Sequence, residues 1–133
     1  MKSLLSRCLA LLLVVVVGLS GCSAGTSGQL TGNYRQDTIL LVDSLRTALE
    51  LPEDAPAKAE SQAEAKALIN DFASRYRRDA SVANLSSFTT MRTALNAIAG
   101  HYSSYPNRPI PEKLKLRVEQ ELKQVEAALR RGA

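Results

Sequence analysis

The chain has 133 residues, 45% hydrophobic, 23% charged and 5% aromatic, with 17 basic residues against 13 acidic ones. That length suits one domain. Lys2 and Arg7 stand in a segment read below as cleaved, so the basic count falls to 15 and the charge to +2, too small to argue for a nucleic-acid partner.

Residues 1–21 read as processing information rather than fold. Lys2 and Arg7 make a basic start, and Cys8 to Val17 is an unbroken apolar run. The run is too short for a membrane span, which needs roughly 20 residues, and fits the core of an export signal. Leu19-Ser20-Gly21-Cys22 follows and resembles the bacterial lipoprotein box. Ser20 and Gly21 are small enough to admit a peptidase, and the Cys22 thiol is the group that takes lipid. One acyl chain holds only marginally, so lasting attachment needs two or three. With Cys8 removed and Cys22 lipidated, no cysteine remains for a disulfide, a metal or a nucleophile.

Residues 22–32 read as a lipidated flexible tether, rich in Ser and Gly. Residues 33–133 carry four helical patterns. The first starts near Asn33, with Gln36 completing a capping pair. Its face is Tyr34, Thr38, Leu41, Val42, Leu45, Ala48 and Leu49, and Pro52 stops it. The second begins at an Asp54 cap with Pro56 in its first turn. It buries Ala65, Ile69, Phe72 and Tyr76, pairs Asp71 with Arg75, and ends in Arg75, Arg77 and Arg78 near the negative end of its dipole.

The third helix is capped by Ser86 or Ser87 and shows Phe88, Met91, Leu95, Ile98 and Tyr102 on one face. Gly100 either ends it or sits within it. Three prolines between Pro106 and Pro111 bar helix there. Pro111 then opens the fourth, with Leu114, Val118, Leu122, Val125 and Leu129 buried. Glu119–Lys123 and Glu126–Arg130 are expected surface pairs, and Arg130, Arg131 and Gly132 close the helix. No segment alternates long enough for a strand, so the expected fold is all-α, an up-down-up-down four-helix bundle.

Chemistry is sparse. His101 is the sole histidine, and the positions three and four away from it hold Ala97, Ile98, Ser104 and Tyr105, none a metal ligand. There is no G-x-S-x-G turn and no phosphate loop. No catalytic residue, cofactor or metal is therefore expected. Recognition remains. Tyr102 and Tyr105 with Arg108 on a proline-stiffened corner form one candidate partner surface, because Tyr and Arg are enriched at binding hot spots. Arg75, Arg77 and Arg78 form a second, suited to an acidic partner. The competing readings are tyrosine rings packed on the bundle end and arginines that merely offset a helix dipole.

Several strings carry a family resemblance: Asn33-Tyr34-Arg35-Gln36-Asp37-Thr38, Leu68-Ile69-Asn70-Asp71-Phe72, Ser74-Arg75-Tyr76-Arg77-Arg78, Phe88-Thr89-Thr90-Met91, and His101-Tyr102-Ser103-Ser104-Tyr105-Pro106 with Arg108-Pro109. With the lipobox, they resemble the small lumenal lipoproteins of cyanobacteria that assist assembly and repair of photosystem II. The resemblance implies a non-catalytic monomer, anchored through Cys22 on the lumenal side of the thylakoid membrane. It implies docking on the lumenal loop of an inner chlorophyll antenna subunit, in photosystem II intermediates that lack a finished manganese cluster. Docking there would hold off the extrinsic oxygen-evolving subunits. The alternative is a general envelope lipoprotein whose bundle binds another periplasmic protein.

Overall fold

Asn33 caps the first helix. Its side-chain oxygen accepts the Gln36 N–H at 3.1 Å, and α1 runs Tyr34–Glu50 until Leu51 and Pro52 stop it. The return half of the capping pair is replaced, because Thr31 Oγ1 accepts the Asn33 N–H. The computed structural model describes residues 30–106 and 108–133. The expected signal segment, Cys22 and the tether as far as residue 29 lie outside them.

The second helix, α2, spans Lys58–Tyr76 and starts later than an Asp54 cap predicts. Residues 52–58 form successive turns, with the Ala55 N–H on Pro52 O and the Lys58 N–H on Ala55 O. These turns fold Lys58 back over the end of α1. Its buried ammonium donates to Ala48 O at 2.5 Å and Leu51 O at 3.0 Å, with Glu53 at 3.5 Å. Carbonyls that a helix end leaves open are thereby satisfied.

The third helix, α3, spans Ser86–Ser104, and Gly100 lies within it. Leu85 occupies the cap position rather than a serine. Ser87 is buried instead, its Oγ 2.8 Å from Tyr34 Oη. The fourth helix, α4, spans Glu112–Arg130, with Pro111 as the extended residue just before it. Gly132 at φ +75° stops α4, and the Gly132 and Ala133 N–H groups return to Leu129 O and Ala128 O at 3.1 and 2.8 Å. That left-handed stop is open to glycine without steric cost.

The helices run up-down-up-down. At one pole the start of α1, the end of α2, the start of α3 and the end of α4 meet: Tyr76 bonds Asp37, Tyr34 bonds Ser87, and the Ser87 N–H bonds Ala133 O. Tyr34, Phe72, Tyr76 and Phe88 cluster there with ring centroids 5.0 to 6.3 Å apart. Leu41, Val42, Met91, Ala94, Val118, Leu122 and Val125 form the fully buried centre. All buried side chains among the described residues lie between Asp37 and Leu129, so this stretch holds a self-sufficient core.

α1 packs most extensively on α2, and α3 on α4, while α1 and α4 share a shorter seam. Arg46 of α1 clamps that seam, bonding Glu119 at 2.9 Å and pairing also with Glu126. The two glutamates are two turns apart on α4, so both face α1 rather than making the surface pairs expected with Lys123 and Arg130. The expected Asp71–Arg75 pair is also absent. Asp71 Oδ2 is buried without a hydrogen-bond partner among the described residues, and Arg75 turns toward Gly32.

Candidate docking surface

At the far end of α3, Tyr105 N–H closes the last turn on His101 O at 2.8 Å, and the chain then leaves the helix with Tyr105 at φ −136°, ψ 69°. Pro106, Pro109 and Pro111 keep this connection out of helix. Two bonds fix its path. The Arg108 N–H reaches Tyr105 O at 3.2 Å, and His101 Nε2 lies 3.0 Å from Arg108 O. A carbonyl only accepts, so His101 carries its proton on Nε2 here. Ile110 is buried and pins the corner to the bundle.

This frame gathers four groups. The His101 ring lies 5.4 Å from Tyr102 and 5.6 Å from Tyr105, and the Arg108 guanidinium stands 5.2 Å over the Tyr105 ring. The two tyrosines divide the competing readings between them. Tyr102 is half-buried, its hydroxyl accepting from Gln62 Nε2 at 3.2 Å, and burial followed by the nearby Glu53 charge raises its pKa. Tyr105 is 48% exposed, one of three large hydrophobic side chains so placed among the described residues. Together with Arg108 it offers a flat cation–aromatic plate to solvent.

Beside the corner a groove of about 570 Å³ runs between α2 and α3. Leu45 and Leu49 floor it, Ile69 and Lys66 line one wall, and Leu95 lines the other. Tyr102, Ser103, Pro106 and Ile110 close one end. Ile69 and Leu95, expected in the core, are only half-buried, and their neighbours Leu68 and Ala94 take the core positions. Adjacent apolar residues such as Leu68–Ile69 mark an apolar stripe wider than one packing seam fills. That width was the available sign of a groove.

The six residues singled out in sequence do not form one surface. Tyr102, Tyr105 and Arg108 share this corner, whereas Arg75, Arg77 and Arg78 are exposed at the opposite pole. A 19-residue helix separates the two by about 28 Å. Among the described residues no three His, Cys, Asp or Glu side chains gather where a metal ion could be held, and no helix is long and apolar enough to cross a membrane. His101 is engaged by a backbone carbonyl, with no nucleophile among its bonded partners.

Comparison with known proteins adds a family. The family model described as "Photosystem II Pbs27" matches residues 4–129. "Photosystem II assembly factor lipoprotein Psb27" of Thermosynechococcus vestitus is 57% identical over 133 residues, covering 100% of this chain and 98% of the relative. "Photosystem II lipoprotein Psb27" of Synechocystis is 54% identical over 132 residues, covering 99% and 97%. A solution structure of Psb27 from cyanobacterial photosystem II superposes with a TM-score of 0.74 at 53% identity, covering 84% of this chain and 96% of that one.

Proposed function

Because the chain belongs to the Photosystem II Pbs27 family, we propose that it docks on photosystem II intermediates through the Tyr102–Tyr105–Arg108 corner and the groove beside it. The family is one of assembly and repair factors of photosystem II, and the chain is not an enzyme. The exposed Tyr105–Arg108 stack is the observation that carries the docking reading. A preorganised aromatic and a guanidinium lose little entropy on binding, and such side chains dominate binding hot spots.

In this reading the partner is the lumenal loop of an inner chlorophyll antenna subunit, engaged before the manganese cluster is finished. A monomer seated there holds off the extrinsic oxygen-evolving subunits. Lipid on Cys22 keeps the domain on the lumenal side of the thylakoid membrane. The lipoprotein names of the relatives and the Leu19–Cys22 box support that anchor.

A tagged pull-down from mildly solubilised membranes, read by mass spectrometry, tests it. Photosystem II core subunits should be recovered without the extrinsic oxygen-evolving proteins. Recovery of complexes carrying those proteins contradicts the reading. Tyr105→Ala with Arg108→Ala should cut core recovery about tenfold without altering thermal unfolding.

A further inference from the structure

The pole opposite the docking corner carries a charge that the bundle does not use. Arg35 lies in the first turn of α1, Arg75 in the last turn of α2 with Arg77 and Arg78 just beyond, and Arg130 and Arg131 end α4. All six are exposed, and among the described residues none forms an ion pair, whereas Arg46 and Arg117 each do. Two side-chain carboxylates of this pole are already engaged, Asp79 by Ser81 and the buried Asp37 by Thr31, Gly32 and Tyr76, and the Ala133 chain end accepts from the Ser87 N–H. The other pole mixes signs, with Glu50, Glu53, Asp54 and Glu60 beside Arg108 and Lys113. Dipole compensation accounts for cations at the ends of α2 and α4. It does not account for Arg35, which sits at a helix N-terminus, where a cation is disfavoured.

The chain enters the bundle at this same pole. Thr31 and Gly32 are bonded to Asp37, and Arg75 Nη1 comes so near Gly32 that a Cβ there would stand 3.1 Å away. Eight residue steps join Cys22 to Leu30, so the extended connection spans at most about 28 Å. We propose that the six-arginine pole rests on the anionic headgroups of the membrane to which the chain is tethered. The inference deepens the proposed function and rests on its lipid anchor at Cys22. Guanidinium groups grip phosphate and sulfonate oxygens with paired N–H donors. Their attraction is screened beyond about 8 Å at physiological salt, so a short tether is what brings the pole within range. An acidic protein surface shares this chemistry, but the tether fixes the membrane at this end. With the pole seated, the Tyr102–Arg108 corner points away from the bilayer, toward a partner's lumenal projection.

The test uses residues 22–133 with Cys22→Ser, which retain the whole buried core and carry no lipid. Co-sedimentation is measured with vesicles of phosphatidylcholine alone and of an equal mixture with phosphatidylglycerol, in low and physiological salt. Binding should require the anionic lipid and weaken with salt. Arg77→Glu, Arg78→Glu and Arg131→Glu together should reduce it on the order of a hundredfold, at roughly fivefold per arginine. Thermal unfolding monitors the fold, and Arg77→Gln with Arg78→Gln replaces the triple variant if that one does not fold. Equal binding to both vesicles, or anionic binding untouched by these substitutions, overturns the proposal. So does a variant that keeps vesicle binding but loses photosystem II recovery, which would assign the pole to an acidic protein. Intact mass of the native membrane-extracted chain reports separately on the lipid. An unmodified Cys22 there would remove the anchor without changing the vesicle result.

Discussion

Asp37 shows how much one side chain organises. It is fully buried, yet its carboxylate accepts four bonds: the Thr31 N–H and hydroxyl at 2.7 and 2.8 Å, the Gly32 N–H at 3.1 Å and the Tyr76 hydroxyl at 2.5 Å. Burial alone raises its pKa, but the donors outweigh burial and hold it below the ordinary 3.8. Tyr76 is pushed up in turn, by burial and then by the Asp37 carboxylate it serves. With the folded pKa below the unfolded one, this contribution is full above about pH 4 and drains away as acid protonates the group. Asp37→Asn should cost about 2–3 kcal/mol at neutral pH, since an amide turns a donor toward donors. It should also flatten the acid limb, so urea melts at pH 7 and pH 3 should differ less in the variant than in the wild type. Parallel acid losses in both would show that another carboxylate controls that limb. In sequence Asp37 stood out only as a member of the Asn33–Thr38 string, and its partners come from α2 and from residues 31–32.

At the level of single helices, the pattern of apolar steps gave existence and approximate ends, while packing set the details. α4 follows its steps closely, with Val118, Leu122, Val125 and Leu129 all buried. α2 buries Ala65, Phe72 and Tyr76 of its expected face, but Leu68 rather than Ile69 fills the core between them, with Ile69 on the open side toward α3. Periodicity places both on one broad face and cannot rank them. Gly100 was undecided in sequence and proves helical, exposed, with nothing within 4 Å of a Cβ. Gly100→Ala should therefore stabilise the protein by about 0.5–1 kcal/mol, through lower backbone entropy in the unfolded chain. A lower midpoint in urea would show that α3 does not hold a helix at that residue in solution.

For the whole molecule, the up-down path sends the chain entry and six arginines to one pole and the aromatic corner to the other. With lipid on Cys22, as proposed, the tether would act as a concentrator for a partner in the same membrane. The lipid-free Cys22→Ser form should still bind photosystem II core complexes, with apparent affinity lowered by about 10²–10⁴. Titration onto isolated cores measures this. No binding at any concentration would mean that lipid takes part in docking itself.

The four helices and their stops were legible in sequence because a 3.6-residue apolar period, a proline and a capping residue act locally. The Leu19–Cys22 box and the family strings are local too, readable without any partner. The two successive turns before α2, the Arg46 clamp, the open side between α2 and α3, and the separation of Tyr105–Arg108 from Arg75–Arg78 were decided only in three dimensions. Each depends on which carbonyl, carboxylate or helix lies opposite, and residues far apart in sequence supply it: Lys58 meets Ala48 O, and Arg46 meets Glu119 and Glu126. Helical period fixes which residues share a face, but the neighbour that covers the face is chosen by the packing of the whole bundle.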